Sequence, residues 1–399
     1  MQSSSKTTVV GASWLITAVF MLSNSPTPLY SFWQHQFGYT SGTLTVIFAL
    51  YIAGLLGTLL FAGQLSDHYG RKPLLLPGLA AAIIASLLFA TAESVTALAL
   101  ARLLTGIAVG VMVSAGMAGV ADLTAPQSRR QAALLASAAM VAGAGMGPLI
   151  SGTLMQILTH PVIPLFLLLF CALLVAIVIA VRLPFAPRGA ATSDSLRLTL
   201  PSLPAKNISA LLCGIGAFAP GITATSFILA LGPSLLTLLA HSYNPLMAGM
   251  MTCGMFISAT LSQVLVRHWP LSRVFFGSSL ATVLSMVMVV VATTCHEYPW
   301  LIFTVLLAGT GQGLGQFGGL TLLALQVADR RRAQANALLN IGGYLPAGIL
   351  PVAAGYLTDK QGLSVSTLLF ALLLMLFALT GGVYAQRFLR AAPENPAEI

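Results

Sequence analysis

A charged turn at residues 63–73 is the part of this sequence whose residue types and spacing point most directly to a mechanism. It reads Gly-Gln-Leu-Ser-Asp-His-Tyr-Gly-Arg-Lys-Pro from Gly63 to Pro73. Four charged or titratable groups fall within six residues, although only 7% of the chain is charged. The apolar runs on either side, 41–62 and 74–92, are each near the ~20 residues that cross a bilayer. The pattern predicts two membrane helices that reverse direction at a water-facing turn.

The composition of the whole chain supports a membrane location. Hydrophobic residues make up 57% of the sequence and the mean hydropathy is +0.92. A water-soluble protein of this composition could not cover its surface with polar groups. We therefore predict an all-α polytopic membrane protein with twelve spans, at 8–32, 41–62, 74–92, 95–121, 131–156, 161–183, 207–238, 245–266, 272–294, 299–327, 333–357 and 363–387. The net charge of +9 lies in the loops, so we expect no nucleic-acid partner.

The distribution of basic residues predicts the orientation of the spans. If the N-terminus is cytoplasmic, every Lys and Arg falls on the cytoplasmic side except Lys360, on the outer side, and Arg102, within a span. This excess of positive charge predicts that both termini are cytoplasmic. The apolar run at 8–23 has no small-residue cleavage site, so we expect a retained helix and not a signal peptide. The short loops favour a bacterial inner membrane.

A polar segment at 184–206, with four prolines, divides the predicted spans into bundles at 1–183 and 207–399. An internal repeat supports this division. Four pairs of motifs recur with an offset of 203 residues: Arg129-x-Gln131 with Arg332-x-Gln334, Pro148-x3-Gly152 with Pro351-x3-Gly355, Leu103-Leu104 with Leu306-Leu307, and Gly106-x3-Gly110 with Gly309-x3-Gly313. Two related halves are what a rocking transporter requires.

The charged turn resembles the G-x-L-x-D-x-x-G-R-K signature between helices 2 and 3 of the major facilitator superfamily. This resemblance implies twelve helices in two pseudo-symmetric six-helix bundles and transport by alternating access. In the family the aspartate lies near the start of helix 11, and the arginine pairs with an acid at the end of helix 4. The implied gating latch consists of Gly63, Asp67, Gly70, Arg71 and Asp122. The alternative is a charged turn that only fixes topology.

A second resemblance lies in the fifth span, at Gly143-x3-Gly147-Pro148-x2-Ser151-Gly152. It is similar to the glycine-proline motif in helix 5 of facilitator antiporters, which implies exchange or export instead of uptake. Ser151 and Leu134 stand where that motif usually has glycine. The alternative is ordinary packing of small residues on a bent helix.

Arg102 is the basic residue placed within a span, about two turns below the outer surface. A buried cation in a membrane should face a cavity or a partner. The family pattern has an arginine here that is linked to proton transfer, so we predict a role in coupling or substrate binding. The alternative is that Arg102 extends to the outer surface or pairs with Glu93.

All nine acids lie in loops or at span ends, so the middle of the membrane carries no carboxylate. A carboxylate there would bind cationic substrates and take up the proton. Its absence favours an anionic, zwitterionic or neutral substrate. Proton coupling would then use Asp122, Glu93 or a proton carried by the substrate.

Polar side chains within the remaining spans predict a substrate cavity, because unpartnered amides are costly in hydrocarbon. The predicted cavity residues are Asn24, Tyr30, Thr223, Gln312, Gln316, Asn340 and Tyr344. The alternative is hydrogen bonding between helices, worth roughly 0.6 kcal/mol each.

The resemblance implies proton-coupled export of a small organic compound, either a drug or a metabolite. The alternatives are uptake by a symporter or uniporter, export of cationic drugs without a midplane acid, and a membrane receptor or assembly protein that transports nothing. No ATP motif or nucleophile constellation is present and the four cysteines lack metal-ligand spacing, so we expect no enzyme activity, cofactor or metal. The expected partners are the substrate, protons and lipid, and the expected state is a monomer.

Overall fold

The computed structural model is helical throughout most of the residues it describes, 6–124, 129–185, 200–242 and 244–391. Most of the predicted linker, residues 186–199, lies outside the described residues. The α-helices are α1 (Lys6–Asn24), α2 (Pro26–Phe37), α3 (Ser41–Tyr69), α4 (Lys72–Ala90), α5 (Val95–Val111), α6 (Met117–Asp122), α7 (Arg129–Ile157), α8 (Val162–Arg182), α9 (Ile208–Ala240), α10 (Pro245–Leu265), α11 (Leu271–Cys295), α12 (Pro299–Gln326), α13 (Asp329–Gln361) and α14 (Leu363–Ala391). A π-helical turn at Met112–Gly116 joins α5 to α6, and a 3₁₀ turn at Ala205–Asn207 precedes α9.

Each predicted span coincides with a helix or a pair of helices. Among the described residues, eleven stretches are long and apolar enough to cross a membrane by length and composition. The predicted span at 299–327 corresponds to α12, which is not one of the eleven. Its glycines, together with Gln312 and Gln316, lower its hydropathy. The first span consists of α1 and α2, which are interrupted at Ser25 just before Pro26.

The reversal after the second span is shorter than the predicted turn at 63–73. Helix α3 continues through Asp67 and His68 to Tyr69, and α4 begins at Lys72. Gly70 ends α3 because it adopts φ +94°, in the left-handed region that favours glycine. Its amide donates to the Ser66 carbonyl over 3.1 Å. The predicted turn residues before Gly70 therefore lie on the last turns of a helix.

The chain divides into two compact units. One contains Met1–Leu29 and Leu50–Leu200, and the other contains Tyr30–Ala49 and Pro201–Ile399. The segment Tyr30–Ala49, from the first half of the sequence, thus packs within the second unit. The division into bundles at 1–183 and 207–399 stays a prediction.

In the first unit, glycines on α5 allow close packing against α3. A Cβ on Gly106 would collide with the Tyr51 carbonyl oxygen, and one on Gly110 would lie 3.1 Å from the Leu55 carbonyl oxygen. The spacing of four residues on both helices aligns one small-residue face with one backbone ridge.

The same arrangement occurs in the second unit, between α12 and α10. A Cβ on Gly309 would collide with the Met255 carbonyl oxygen, and one on Gly313 with the Ala259 carbonyl oxygen. Gly309 and Gly313 lie 203 residues after the two glycines of α5. The repeat seen in the sequence is therefore also a repeat in packing.

Candidate functional site

Arg71 connects three side chains at the charged end of the first unit. Its Nε donates to Asp122 Oδ2 over 2.8 Å, and its Nη1 donates to Ser66 Oγ over 2.6 Å. The same Nη1 lies 3.2 Å from Asp67 Oδ1. The Arg71 side chain is 13% exposed, whereas that of Asp122 is 44% exposed. The guanidinium is therefore mostly shielded from water and its carboxylate partner is solvated. The structure thus pairs Arg71 with Asp122, the contact that the resemblance implies, and adds a contact of Arg71 with Asp67 that it does not imply.

The two glycines of the predicted latch differ in their surroundings. Gly70 has the positive φ that ends α3. Gly63 is helical, and among the described residues a Cβ there would meet no atom within 4 Å. Among the described residues, Gly63 therefore makes no close contact that would require glycine. The predicted contact of Asp67 with the start of helix 11 stays a prediction.

We expect Asp67→Asn to impair turnover more than substrate binding. Its ion pair with Arg71 is exposed, and such i,i+4 pairs contribute only about 0.3–0.5 kcal/mol, so the fold should tolerate the change. Thermal melting, equilibrium substrate binding and transport rate would be measured on the same preparation. Gln64→Ala is the matched control, because it changes a neighbouring polar residue and leaves every charge in place. A fall in binding with unchanged turnover per bound substrate would show that the latch assignment is wrong.

Arg102 lies buried in the first unit at 2% exposure, between α1 and α3. Its Nη1 donates to the Ser23 carbonyl oxygen over 2.6 Å. The guanidinium carbon lies 4.8 Å from the centre of the Tyr51 ring, in cation–π geometry. This burial excludes the alternative in which Arg102 extends to the outer surface. The carbonyl and the ring hold the planar guanidinium in one orientation.

The glycine-proline segment of α7 packs closely on α1. A Cβ on Gly143 or Gly147 would collide with the carbonyl oxygen of Thr17 or Met21, respectively. Pro148 lies inside α7, where it removes a backbone donor. Gly152 is buried further along the same helix. The contacts fit both the antiporter-like interpretation and ordinary small-residue packing.

Three of the predicted cavity residues bond to their own helices. Asn24 Nδ2 donates to the Phe20 carbonyl over 3.4 Å, Thr223 Oγ1 donates to that of Ala219 over 2.7 Å, and Asn340 Nδ2 donates to that of Asn336 over 3.0 Å. Each acceptor lies four residues earlier, where a short polar side chain reaches it readily. These three hydrogen bonds lie within single helices, whereas the alternative to a cavity lining was hydrogen bonding between helices.

Gln312 has the most conspicuous polar atom among the predicted cavity residues. Its Oε1 is buried and accepts no hydrogen bond from any described residue. Its backbone nitrogen would lie 2.6 Å from a Cβ on Gly221, so α9 and α12 approach closely here. Gln316, one turn later, is half-buried. Gln312 is therefore a predicted cavity residue whose amide oxygen has no described hydrogen-bond donor in this packing.

The two predicted cavity tyrosines occupy different settings in the second unit. Tyr344 packs edge-on against Phe218, with ring centroids 6.0 Å apart. Tyr30 is buried, and its carbonyl oxygen accepts from the Tyr39 hydroxyl over 3.0 Å. Burial raises the pKa of the Tyr39 phenol, with the neighbouring Tyr30 as a further cause, so the hydroxyl stays protonated and donates.

Asp359, which lies near a span end, caps another helix. Its Oδ1 accepts from the Ser41 amide over 2.8 Å, and its Oδ2 accepts from the Gly42 amide over 2.9 Å. It thus caps the N-terminus of α3 with a negative charge, which the helix dipole favours. A side chain on Gly42 would collide with Asp359 and Tyr356. Nothing in the local sequence pairs residues so far apart.

We expect Asp359→Ala to speed amide hydrogen exchange at Ser41 and Gly42. Loss of a helix cap costs about 1 kcal/mol, which corresponds to roughly fivefold faster local opening. Mass spectrometry of peptides covering 38–46 would measure the change. Lys360→Ala, the neighbouring substitution, should leave those amides unchanged. Equal exchange in wild type and Asp359→Ala would contradict the cap.

Within the described residues, no group of three or more His, Cys, Asp or Glu side chains could hold a metal ion. The polar groups on offer are a buried guanidinium in the first unit and, separately, half-buried amides and aromatic rings in the second. Such groups bind and orient a polar organic molecule by hydrogen bonding and stacking.

Comparison with known proteins gives matches of very different extent. Over 92 residues the chain is 37% identical to the multidrug resistance protein MdtL of Escherichia coli O139:H28 (strain E24377A / ETEC), which is 23% of each chain. The chain thus spans less than a quarter of that relative's length.

Solved transporter structures match nearly the whole chain at low identity. A mutant of the nucleoside transporter NupG superposes with a TM-score of 0.76 at 14% identity, covering 94% of this chain and 99% of that one. A bacterial homologue of the human lysosomal transporter Spinster, in an inward-facing and occupied conformation, gives 0.75 at 15% identity, with 99% and 100% covered. At these identities the likeness shows the fold alone. The family model described as Major Facilitator Superfamily matches residues 13–351, and the chain therefore belongs to that superfamily of transporters.

Proposed function

We propose that this transporter exports a small organic compound in exchange for protons, by alternating access. The observation that carries the proposal is Arg102, a guanidinium buried within a membrane span and fixed by the Ser23 carbonyl and the Tyr51 ring. An ionisable group kept at such a position is costly, which favours a role in transport over one in packing. A fixed planar cation can hold a carboxylate or respond to a nearby change of charge.

One observation supports export over uptake. The MdtL similarity, although limited to 92 residues, is to a protein named for multidrug resistance. The close packing of Gly143 and Gly147 on α1 is compatible with an antiporter-type helix pair and equally with ordinary small-residue packing, so it favours neither direction.

The charge distribution favours an anionic, zwitterionic or neutral substrate. Among described residues, acids lie outside the middle of the spans, whereas Arg102 supplies a positive charge there. Gln312 Oε1, in the second unit, is a separate buried acceptor without a described donor. We place the protein in a bacterial inner membrane as a monomer with both termini cytoplasmic, consistent with its basic loops.

Uptake by a symporter or uniporter is the second candidate. The nucleoside transporter and a POT family transporter solved with a thioalcohol-conjugated peptide share the fold, at 14% and 13% identity. This likeness extends to fold only, so export remains the preferred proposal.

Proton flux in everted vesicles containing the purified chain tests the proposal. A pH gradient would be imposed and the vesicles challenged first with organic acids and then with cationic drugs. We expect collapse of the gradient with the acids and little response to the cations. The Arg102→Ala variant should lose the response, whereas the matched control Arg182→Ala, at the exposed end of α8, should keep it.

Three results would contradict this proposal. Silence with both panels, together with uptake of a labelled solute in right-side-out vesicles, would establish the importer. Equal gradient collapse by Arg102→Ala and wild type would remove Arg102 from coupling, and a response confined to cations would overturn the substrate charge.

A further inference from the structure

A cavity of about 610 Å³ opens between α11 and α14 in the second unit. One end of it is basic, with Arg273 on the first turn of α11 and Arg387 and Arg390 on the last turns of α14. All three arginines are exposed. In the part of the chain that the structure describes, both ion pairs belong to Arg71, so none of these guanidinium groups is neutralised by a described acid.

The rest of the cavity is an apolar groove along the two helices. Its walls carry Phe276, Leu280, Val283, Leu379 and Val383. The floor is formed where Ser279 meets Gly382, because a Cβ on Gly382 would collide with the Ser279 hydroxyl. Both α11 and α14 are long and apolar enough to cross a membrane, so the groove faces hydrocarbon.

A polar bond holds the basic end of the groove together. Gln386 Nε2 donates to the Ser272 carbonyl oxygen over 2.6 Å, which ties α14 to the start of α11 beside the arginines. The basic end therefore has a fixed spacing between its two helices. Exposed apolar side chains occur on any lipid-facing surface and do not by themselves indicate a binding site. Here they line a groove whose end carries three arginines.

We propose that this cavity binds one anionic diacyl phospholipid, with its phosphate between the arginines and an acyl chain along the groove. Guanidinium groups bind phosphate oxygens in bidentate geometry, which favours arginine over a diffuse positive charge. Basic pockets between membrane helices on the cytoplasmic side suit anionic headgroups. The net positive charge of the pocket selects against a zwitterionic lipid, whose own cation would meet the arginines.

Native mass spectrometry of the full chain in detergent tests the proposal with dioleoylphosphatidylglycerol and dioleoylphosphatidylcholine as probes. We expect the wild type to retain the anionic lipid and to release the zwitterionic one. The variant R273Q/R387Q/R390Q should lose at least about tenfold in affinity for the anionic lipid, since each basic residue near the surface contributes several-fold. The matched control R182Q/K206Q/R267Q removes the same charge elsewhere and should bind as the wild type does. Equal loss in both triple variants would overturn the site.

Two further variants test whether binding needs the apolar groove as well as the arginines, and whether the acidic residues after α14 occupy the basic end. L280W fills the groove but keeps the arginines, and it should also lose the lipid; retained binding would overturn the proposal. E394Q/E398Q neutralises acids that follow α14 in the sequence, and it should leave binding unchanged. Increased lipid binding by that variant would show that the tail occupies the basic end, and it would overturn the lipid as the resident ligand.

Competition identifies the source of the phosphate. Inorganic phosphate at the concentration of the lipid should leave the bound phosphatidylglycerol in place, because it has no acyl chain for the groove. Displacement of the lipid by inorganic phosphate would assign the pocket to a free anion and overturn the lipid.

Discussion

Replacing Arg102 with alanine should lower substrate-driven proton exchange at least about tenfold, as expected for loss of a charge-assisted hydrogen bond worth ~1.5–3 kcal/mol. The substitution removes the donor to the Ser23 carbonyl and the cation over the Tyr51 ring. Reconstituted liposomes with an imposed pH gradient would measure the rate. Thermal melting of the same variant should show a loss of about 2 kcal/mol, from the bond and the cation–π contact together.

Arg102→Lys distinguishes charge from geometry at the same position. Lysine keeps the positive charge but lacks the planar fork and stacks less well on an aromatic ring. We expect it to restore part of the stability and little of the transport of an anionic substrate. Near-normal anion transport by Arg102→Lys would argue against bidentate substrate contact. Arg182→Ala, which removes an arginine at an exposed helix end, should leave transport unchanged.

The sequence predicted those features that depend on local pattern. Apolar runs located the spans because the bilayer imposes their length, although α12 falls short by hydropathy, and the small residues of α5 and α12 indicated close packing. The position of Arg102 within a span left both burial and extension to the outer surface open, and the structure shows it buried. Its carbonyl partner could not be predicted, since Ser23 lies 79 residues away on another helix.

Contacts between segments far apart in the chain could not be predicted from local sequence patterns. The Asp359 cap joins residues 318 positions apart, and the acid looked like any other at a span end. The helical state of residues 63–69 was also missed. Polar residues suggested a turn there, but nothing in the segment before Gly70 breaks a helix, and the charges extend into solvent from its last turns.

For the predicted cavity, too, the sequence indicated the residue types but not their hydrogen-bond partners. The amides were found because they are rare in these spans, yet which of them bond within their own helix depends on side-chain conformation. Asn340 reaches the Asn336 carbonyl, whereas Gln312 Oε1 is buried without a described donor. Residue type therefore indicated the candidates, and their hydrogen-bond partners came only from the structure.

Gly106→Ala and Gly309→Ala should each destabilise the protein by about 2–3 kcal/mol, the cost of forcing an extra methyl group into a packed contact. In each case the new Cβ collides with a backbone carbonyl, of Tyr51 or of Met255, which cannot rotate away as a side chain would. Thermal melting in detergent and the yield of folded protein would measure the loss.

Gly57→Ala is the matched control because a Cβ there meets no described atom within 4 Å. Alanine is favoured over glycine inside a helix by up to about 1 kcal/mol, so this variant should be neutral or more stable. The opposite sign of the two effects separates close packing from helix propensity. If Gly106→Ala or Gly309→Ala melted as Gly57→Ala does, the helices would not approach as closely as the repeat requires. Similar losses at Gly106 and Gly309 would instead show that the two halves rely on the same contact.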